Sequence, residues 1–588
     1  MSLIVPSTPS SGQSGLQNYL DRFTGDMPHV FTQNDSPDML AQRLPRPLLS
    51  HGQVAAQLLD DIGEWLRSPS GGRLPIEVVP PDNRVQTLNK AVSYLFERLE
   101  VTIAEYDRVQ LVDVLIAQNE ALLHAAKVNA TMLRSRLACF GEKSDSAGEL
   151  VQHRSANSRA SRANRFLIEY TAAQPPNGDH SIENLDYYRL LAIADEIIQR
   201  ATTSDFLNHN LADFEVSILK SGRLGVDMDA PVVRAMNTYA GQAGRRTLKE
   251  TQEDFPLGNS GEHDIISLLT ESDPAMRAEF GFTLTELRDV CSGLLDLGIA
   301  DQVTRIDRDE AIHTISVSGR IPAEVVISIL EHITLTSRSS FLDIKQDAYP
   351  WRFGRDMSYI RRPLILEGSN LVFGFRSVQR LPSFWADSIL SARLQSRAQS
   401  TEMKKYISIT RGKITDSFAR AVAARIERFG MEPRLSVRKI ETRRIVDSAG
   451  QDLGDIDILA AHKPSRTILA LEAKDFEVAR TPAEISYELD KLFKGKPGKK
   501  STAELHLRRV DWLREHLNSV VRGLGEDPRD GNWKVVGIIV TSDPLVTPLM
   551  ASSPLPVIAF QDLDIDTLPL QSITRKSKST QRRKKKKR

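Results

Sequence analysis

Apolar positions between residues 51 and 260 recur at steps of three and four, the spacing of a helix face. Val85, Leu88, Val92, Leu95 and Leu99 fall on one such face, and Val54, Leu58, Ile62 and Trp65 on another. Residues 108–128 and 183–201 carry further amphipathic patterns, so 51–260 is expected to be a helical domain. Residues 1–50, rich in Ser, Pro, Gln and Asp, read as a flexible leader, and the small, polar stretch 142–164 reads as a linker.

The pattern changes over 261–400, which reads as an α+β region. A helix entered at Thr283 or Thr285 carries Leu284, Leu287, Val290, Leu294 and Leu295, with Gly298 as its stop. Residues 311–319 alternate like a strand. The apolar runs Pro363–Leu366 and Leu371–Phe375 flank Gly368, Ser369 and Asn370, a β-hairpin signal. Helix, turn, helix and hairpin would make a winged-helix-like arrangement. Trp351, Phe353 and Tyr359 stand among arginines. Such rings either stack on bases or anchor a core, and the second reading is favoured.

From 401 to 570 the order is helix, three strands, two helices, two strands. Ile414, Phe418, Val422 and Ile426 share one face of the helix, which ends at Gly430. Residues 434–446 read as a strand, and 532–543 and 555–563 hold strands apolar enough to be buried on both faces. The expected fold class is therefore multidomain, mainly α at the N-terminus, followed by a C-terminal α/β domain with a mixed central sheet.

Composition narrows the class. With 40% hydrophobic and 26% charged residues the chain is globular material. No run of about 18 apolar residues suggests a membrane span, and the N-terminus lacks the basic and apolar regions of a secretory signal. Two cysteines, Cys139 and Cys291, provide neither a zinc cluster nor a disulfide framework, which suits a cytoplasmic protein. The net charge of +1 conceals an asymmetry: residues 575–588 hold ten Lys or Arg and no acid, leaving −9 on the rest. A like-charge block of this kind, within a tail at 571–588, is expected to be disordered and to attract polyphosphate without reading sequence.

The chemistry gathers in GDIDILAAH (454–462) and RTILALEAK (466–474). Residues i and i+2 of a strand share a face, so Asp455 and Asp457 point together, as do Glu472 and Lys474. If the strands are adjacent, Asp457, Glu472 and Lys474 converge. Two neighbouring carboxylates repel unless a cation lies between them. Mg²⁺ suits that place, because it takes oxygen ligands and needs only one or two protein carboxylates. The alternative is a structural ion pair, although burying ions rarely improves stability over apolar packing.

An acid in one strand followed, after a turn, by Glu-x-Lys in the next resembles the PD-(D/E)xK nuclease superfamily, the restriction-endonuclease-like fold. The matching residues are Asp457 and, fifteen positions on, Glu472-Ala473-Lys474. The resemblance covers only the last third of the chain. It implies that Asp457, Glu472 and the Ala473 carbonyl hold Mg²⁺ or Mn²⁺, and that Lys474 assists the attacking water. Asp416, on the preceding helix, would add an acid where relatives more often carry Glu. Ile456 stands where many relatives have Pro, and Asp455 either replaces or supplements Asp457. Lys494, Lys496, Lys499 and Lys500 form a basic loop that either holds nucleic-acid backbone or is simply solvated. The implied function is a nuclease acting on DNA in restriction, phage defence or repair, with a homodimer or protein partners engaged through the helical N-terminal region. The alternative is a catalytically inactive nucleic-acid-binding or scaffold protein that keeps the fold.

Overall fold

The computed structural model describes residues 44–570 except 141–144, 229–231, 240–260, 299–302, 342–354, 393–397 and 477. The basic tail, most of the leader, Trp351 and Phe353 therefore lie outside the described residues.

The N-terminal unit is built from α1 (Gly52–Arg67), α2 (Pro81–Ala104), α3 (Arg108–Phe140), α4 (Asp145–Ala173) and α5 (Asn184–Asn208), with a hairpin of β1 (Phe214–Ile218) and β2 (Leu224–Met228). The periodic positions meet in one core: Leu58, Ile62, Leu88, Leu95 and Leu99 are buried, with Val54, Val92 and Trp65 packed at its margin. The stretch 142–164, expected as a linker, is helix from Asp145 onward. Its small residues are the reason. Ala160, Ser161 and Ala163 are buried where α4 lies against α3. Asn157 and Asn164 donate to the carbonyls of Leu122 (3.1 Å) and Leu115 (2.9 Å) on α3. At Asn157, Ser161 and Asn164 polarity serves close helix packing, while residues 152–155, Ser158 and Arg159 stay exposed.

The middle unit contains α6 (Gly261–Phe280), α7 (Leu284–Gly298), β3 (Val303–Asp307), α8 (Arg308–Gly319), α9 (Ala323–Ile333), β4 (Thr334–Leu335), β5 (Leu364–Glu367), β6 (Asn370–Gly374) and α10 (Phe375–Leu390). Its strands are ordered β3-β6-β5-β4. Thr283 and Glu286 cap α7 reciprocally. Residues 311–319, expected as a strand, form most of α8. Asp307 caps that helix by accepting from the amides of Asp309 and Glu310. The apparent alternation resolves into a helical step, with Ala311 and Ile315 buried while Val317 is 67% exposed. Tyr359 is buried in the core of the N-terminal unit. On α9 the exposed charges are Glu324 and Glu331, so that helix offers phosphate no cationic face.

The C-terminal unit begins on α11 (Thr401–Glu427), which joins two cores: Met403 is buried with the middle unit, Val422 and Ile426 with the sheet beyond. The sheet is ordered β13-β12-β11-β10-β7, from β7 (Arg434–Val437), β10 (Ile456–His462), β11 (Thr467–Lys474), β12 (Lys534–Thr541) and β13 (Val557–Ala559). β7, β10 and β11 run antiparallel; β11, β12 and β13 run parallel. Residues 434–446, expected as one strand, are broken into β7 and the two-residue strands β8 (Lys439–Ile440) and β9 (Arg443–Arg444), with Ser436 and Glu441 at positive φ. Between β11 and β12 lie α12 (Pro482–Leu489), α13 (Thr502–Glu515) and α14 (Leu517–Gly523), and α15 (Thr547–Met550) precedes β13. α11 covers one sheet face, against Ile458, Leu469 and Leu471. α13 covers the other, against Leu459, Ile468 and Ala470. Among the described residues no helix is long and apolar enough to cross a membrane.

Candidate active site

Ile458 pairs with Leu471 across β10 and β11, which brings Asp457 level with Glu472 one step along. Alternation sends Ile458 and Leu471 toward α11, and turns Asp457, Glu472 and Lys474 toward α13. The three charges meet there. The Lys474 ammonium lies 2.9 Å from Glu472 Oε1 and 3.3 Å from Asp457 Oδ2, bridging the two carboxylates. The Ala473 amide also donates to Asp457 Oδ2, at 2.8 Å.

A second tier comes from α13, whose first turn is fixed by Ser501 accepting from the Glu504 amide. Arg509 donates to Glu472 Oε2 at 2.7 Å and to the Leu453 carbonyl at 2.7 Å. Gly454 admits that guanidinium: it sits at φ +78°, and a Cβ there would lie 3.1 Å from Arg509 Nη2. His506 is wholly buried, with Nε2 3.0 Å from the Ala470 carbonyl. A carbonyl only accepts, so Nε2 carries the proton. Nδ1 then faces Glu472 Oε2 at 3.4 Å.

The two acids differ in consequence. Burial and the neighbouring Glu472 raise the Asp457 carboxyl above its ordinary value, despite Lys474. Burial also disfavours a charged Glu472, but Lys474, Arg509 and His506 outweigh it and hold that carboxyl low. Burial likewise opposes the Lys474 charge, and the two carboxylates overcome it and raise its pKa. One carboxyl is thus held low and the other raised, with a single ammonium between them.

The remaining expected residues separate. Asp455 lies just outside β10, 3.9 Å from Arg438, and does not join Glu472. Asp416 is exposed on α11 and pairs with no described residue. It stands on the helix that covers the opposite sheet face, so the structure does not bring it into the group. Lys496 and Lys499 exchange backbone hydrogen bonds at 2.8 Å across a tight turn, with Gly495 and Gly498 at positive φ. Lys494 and Lys499 are exposed, Lys500 half-buried, and Lys496 stacks over Tyr487. Lys491, which opens the same lysine-rich stretch, lies nearer the chemistry. Its ammonium sits 4.8 Å over the Phe476 ring. Burial, then the charges of Lys474, Arg411 and Lys499, depress its pKa. Arg509 and His506 were missed. Their signal was faint: two polar residues in phase with the buried Val510 and Leu513.

A divalent cation fits the donor set in part. Among the described residues no three His, Cys, Asp or Glu side chains gather to hold a metal. Two carboxylates suffice for Mg²⁺, which keeps several waters. Asp457 Oδ1 accepts no hydrogen bond from any described residue, so it is available. Glu472 Oε1 faces only the Lys474 ammonium, which already marks a place between the carboxylates that favours positive charge.

Comparison with known proteins adds the biological setting. No curated protein and no solved structure matches the chain. A family model described as anti-phage protein Upx-like matches residues 81–550, from the second helix to the helical turn before the last strand. That span covers most of the chain and all of the charged group, and the chain belongs to the Upx-like family of anti-phage proteins.

Proposed function

We propose that the chain is a divalent-metal-dependent nuclease of phage defence, hydrolysing phosphodiester bonds, with DNA its first expected substrate. One observation carries this reading: Asp457 and Glu472 stand level on adjacent strands, with the Lys474 ammonium between them. The strand order supports it. An antiparallel β7-β10-β11 set, a helical excursion and a parallel β12 agree with the order implied by the restriction-endonuclease-like resemblance.

Mg²⁺, when bound, supplies charge stabilisation at the phosphate and lowers the pKa of a water. Asp457, Glu472 and the Ala473 carbonyl are the groups that would hold it. Lys474, held as an ammonium, orients the attacking water, and Lys491 offsets charge building on the phosphate oxygens. Arg509 keeps the Glu472 carboxylate ionised and fixed in place, a positioning role.

A second reading, a non-catalytic nucleic-acid-binding scaffold, draws on one feature. Both Glu472 oxygens already face protein cations, so the group is neutralised without a metal. A single assay separates the two. Purified protein is incubated with single- and double-stranded DNA and RNA in Mg²⁺, Mn²⁺ or EDTA. Metal-dependent cleavage abolished by Asp457→Ala and Lys474→Ala supports the nuclease. Binding that persists in EDTA without cleavage of any substrate supports the scaffold, and cleavage unchanged in both variants refutes the site.

A further inference from the structure

Helix α4 carries Arg159, Arg162 and Arg165 at steps of three. Arg159 pairs with Asp195 on α5. Arg162 and Arg165 are half-buried, yet neither makes a hydrogen bond or ion pair with any described residue. Two other elements bring more guanidinium groups to the same place. Arg355 closes against α4 through an ion pair with Glu169 Oε2 at 2.5 Å, one turn beyond Arg165. The Tyr359 amide holds the other oxygen of that carboxylate at 2.8 Å. From the opposite side α10 is pinned to α3, because buried Glu120 accepts from the amides of Arg376 (2.6 Å) and Ser377 (3.1 Å). Arg380, exposed and one turn further along α10, is thereby brought toward Arg165.

Arg165 thus lies in the field of three further guanidinium groups, Arg162, Arg355 and Arg380, with Glu169 the carboxylate beside it, while Arg162 in turn feels Asp195. Burial, together with the field of Arg162, Arg355 and Arg380, pulls the Arg165 group down to about 10. Half-buried arginines that outnumber the carboxylates near them are costly to a fold. The hydrogen bonds that tie α4 to α3 come from Asn157 and Asn164, not from these arginines. The group that relieves such an arrangement is a dense anion. The planar guanidinium fork matches phosphate oxygens two at a time.

We propose that Arg162, Arg165, Arg355 and Arg380 form a polyphosphate-binding recess where α4, α10 and the Arg355–Tyr359 segment meet. Its ligand is a phosphate group carried by a free nucleotide or by nucleic-acid backbone. The recess is built from the N-terminal and middle units and shares no residue with the Asp457 group, so it stands whether or not that group cuts nucleic acid.

The test measures the thermal midpoint and affinity of the full chain with two probes: inorganic triphosphate, and a single-stranded oligonucleotide without a terminal phosphate. Arg162→Gln/Arg165→Gln and, separately, Arg380→Gln are compared with the parent. The basic tail attracts polyanions equally in all three, so the difference between variants reads the recess. Triphosphate should raise the parent's Tm, with affinity falling about tenfold or more in each variant as charge-assisted hydrogen bonds are lost. A response to the oligonucleotide alone, lost in the same variants, assigns the phosphate to backbone. Without probe, the double variant should melt at or above the parent, because repulsion is relieved. Equal binding by parent and both variants, or no binding of either probe, overturns the proposal. A double variant that melts lower while Arg380→Gln binds as the parent does overturns it as well.

Discussion

Arg509 donates to Glu472 at 2.7 Å across 37 residues of sequence, and both side chains are buried. The same guanidinium holds the Leu453 carbonyl just ahead of β10. One side chain therefore ties the two strands of the candidate site to the helix that covers them. Removing it leaves a buried carboxylate with only Lys474 and His506 to offset burial. Arg509→Ala is expected to cost about 3–5 kcal/mol, the range for breaking one partner of a buried pair. Urea denaturation measures it. A loss below about 1 kcal/mol, the size of a surface pair, would show that the bond contributes little.

Lys491 is exposed as a residue while its ammonium lies against the Phe476 ring, so its removal should spare the fold while changing the chemistry. Its depressed pKa comes first from burial and then from Lys474, Arg411 and Lys499. An ammonium held among like charges gains most when a phosphate arrives. On the nuclease reading, Lys491→Ala lowers the cleavage rate about tenfold to a hundredfold, somewhat less than a fully buried oxyanion donor. Tm should move by less than about 2 °C. Single-turnover cleavage beside a melting curve checks both, and an unchanged rate removes Lys491 from the mechanism.

The two strands of the site were legible because their signal is local. A period of two, read along nine residues, assigns Asp457 and Glu472 to faces without any tertiary knowledge. Arg509 was not legible in that way. It stands among Arg508 and Arg514, chemically alike, and only its phase against Val510 and Leu513 turns it inward. Asp416 shows the converse. It occupies the place in sequence that the resemblance implies, but its helix covers the far face of the sheet. The helices α4 and α8 were misread because composition and alternation are weak evidence beside a cap or a close helix neighbour. Asp307 decides α8, and the Asn157 and Asn164 bonds to α3 decide α4.

Glu120 supplies a prediction about how the units are joined. Its carboxylate, 1% exposed, accepts from two α10 amides and from the Ser377 hydroxyl at 2.7 Å. It caps a helix from a different unit, 256 residues away in sequence. Burial raises its pKa, and the three donors only partly offset that. Glu120→Ala strips the α10 N-terminus of these bonds and leaves buried amides unsatisfied, at a cost of about 3 kcal/mol or more. Glu120→Gln keeps an acceptor and should cost roughly half as much. Denaturant unfolding of the two variants side by side tests the order, and equal losses would contradict it.

Glu488 makes stability depend on pH. It is buried on α12, beside the contact of Ile485 and Leu489 with Leu211 and Phe206 of the N-terminal unit. Burial pushes its carboxyl up to about 7, and the hydroxyl of Thr547 lowers it only in part. The second oxygen has no hydrogen-bond partner among the described residues. A raised carboxyl pKa means that the folded chain keeps a proton which the unfolded chain releases near the ordinary value of 4.5. Below that value both states are protonated and the residue costs nothing. As pH rises from about 4.5 to 7 the unfolded state is progressively favoured. Above 7 the whole penalty is present, on the order of 3 kcal/mol. Glu488→Gln removes the ionisation while keeping the shape and the acceptor for Thr547. It should therefore match the parent near pH 4, exceed it at pH 8, and flatten the fall in Tm between them. A variant whose Tm runs parallel to the parent's across that range would show that folding does not raise the Glu488 carboxyl above its unfolded value.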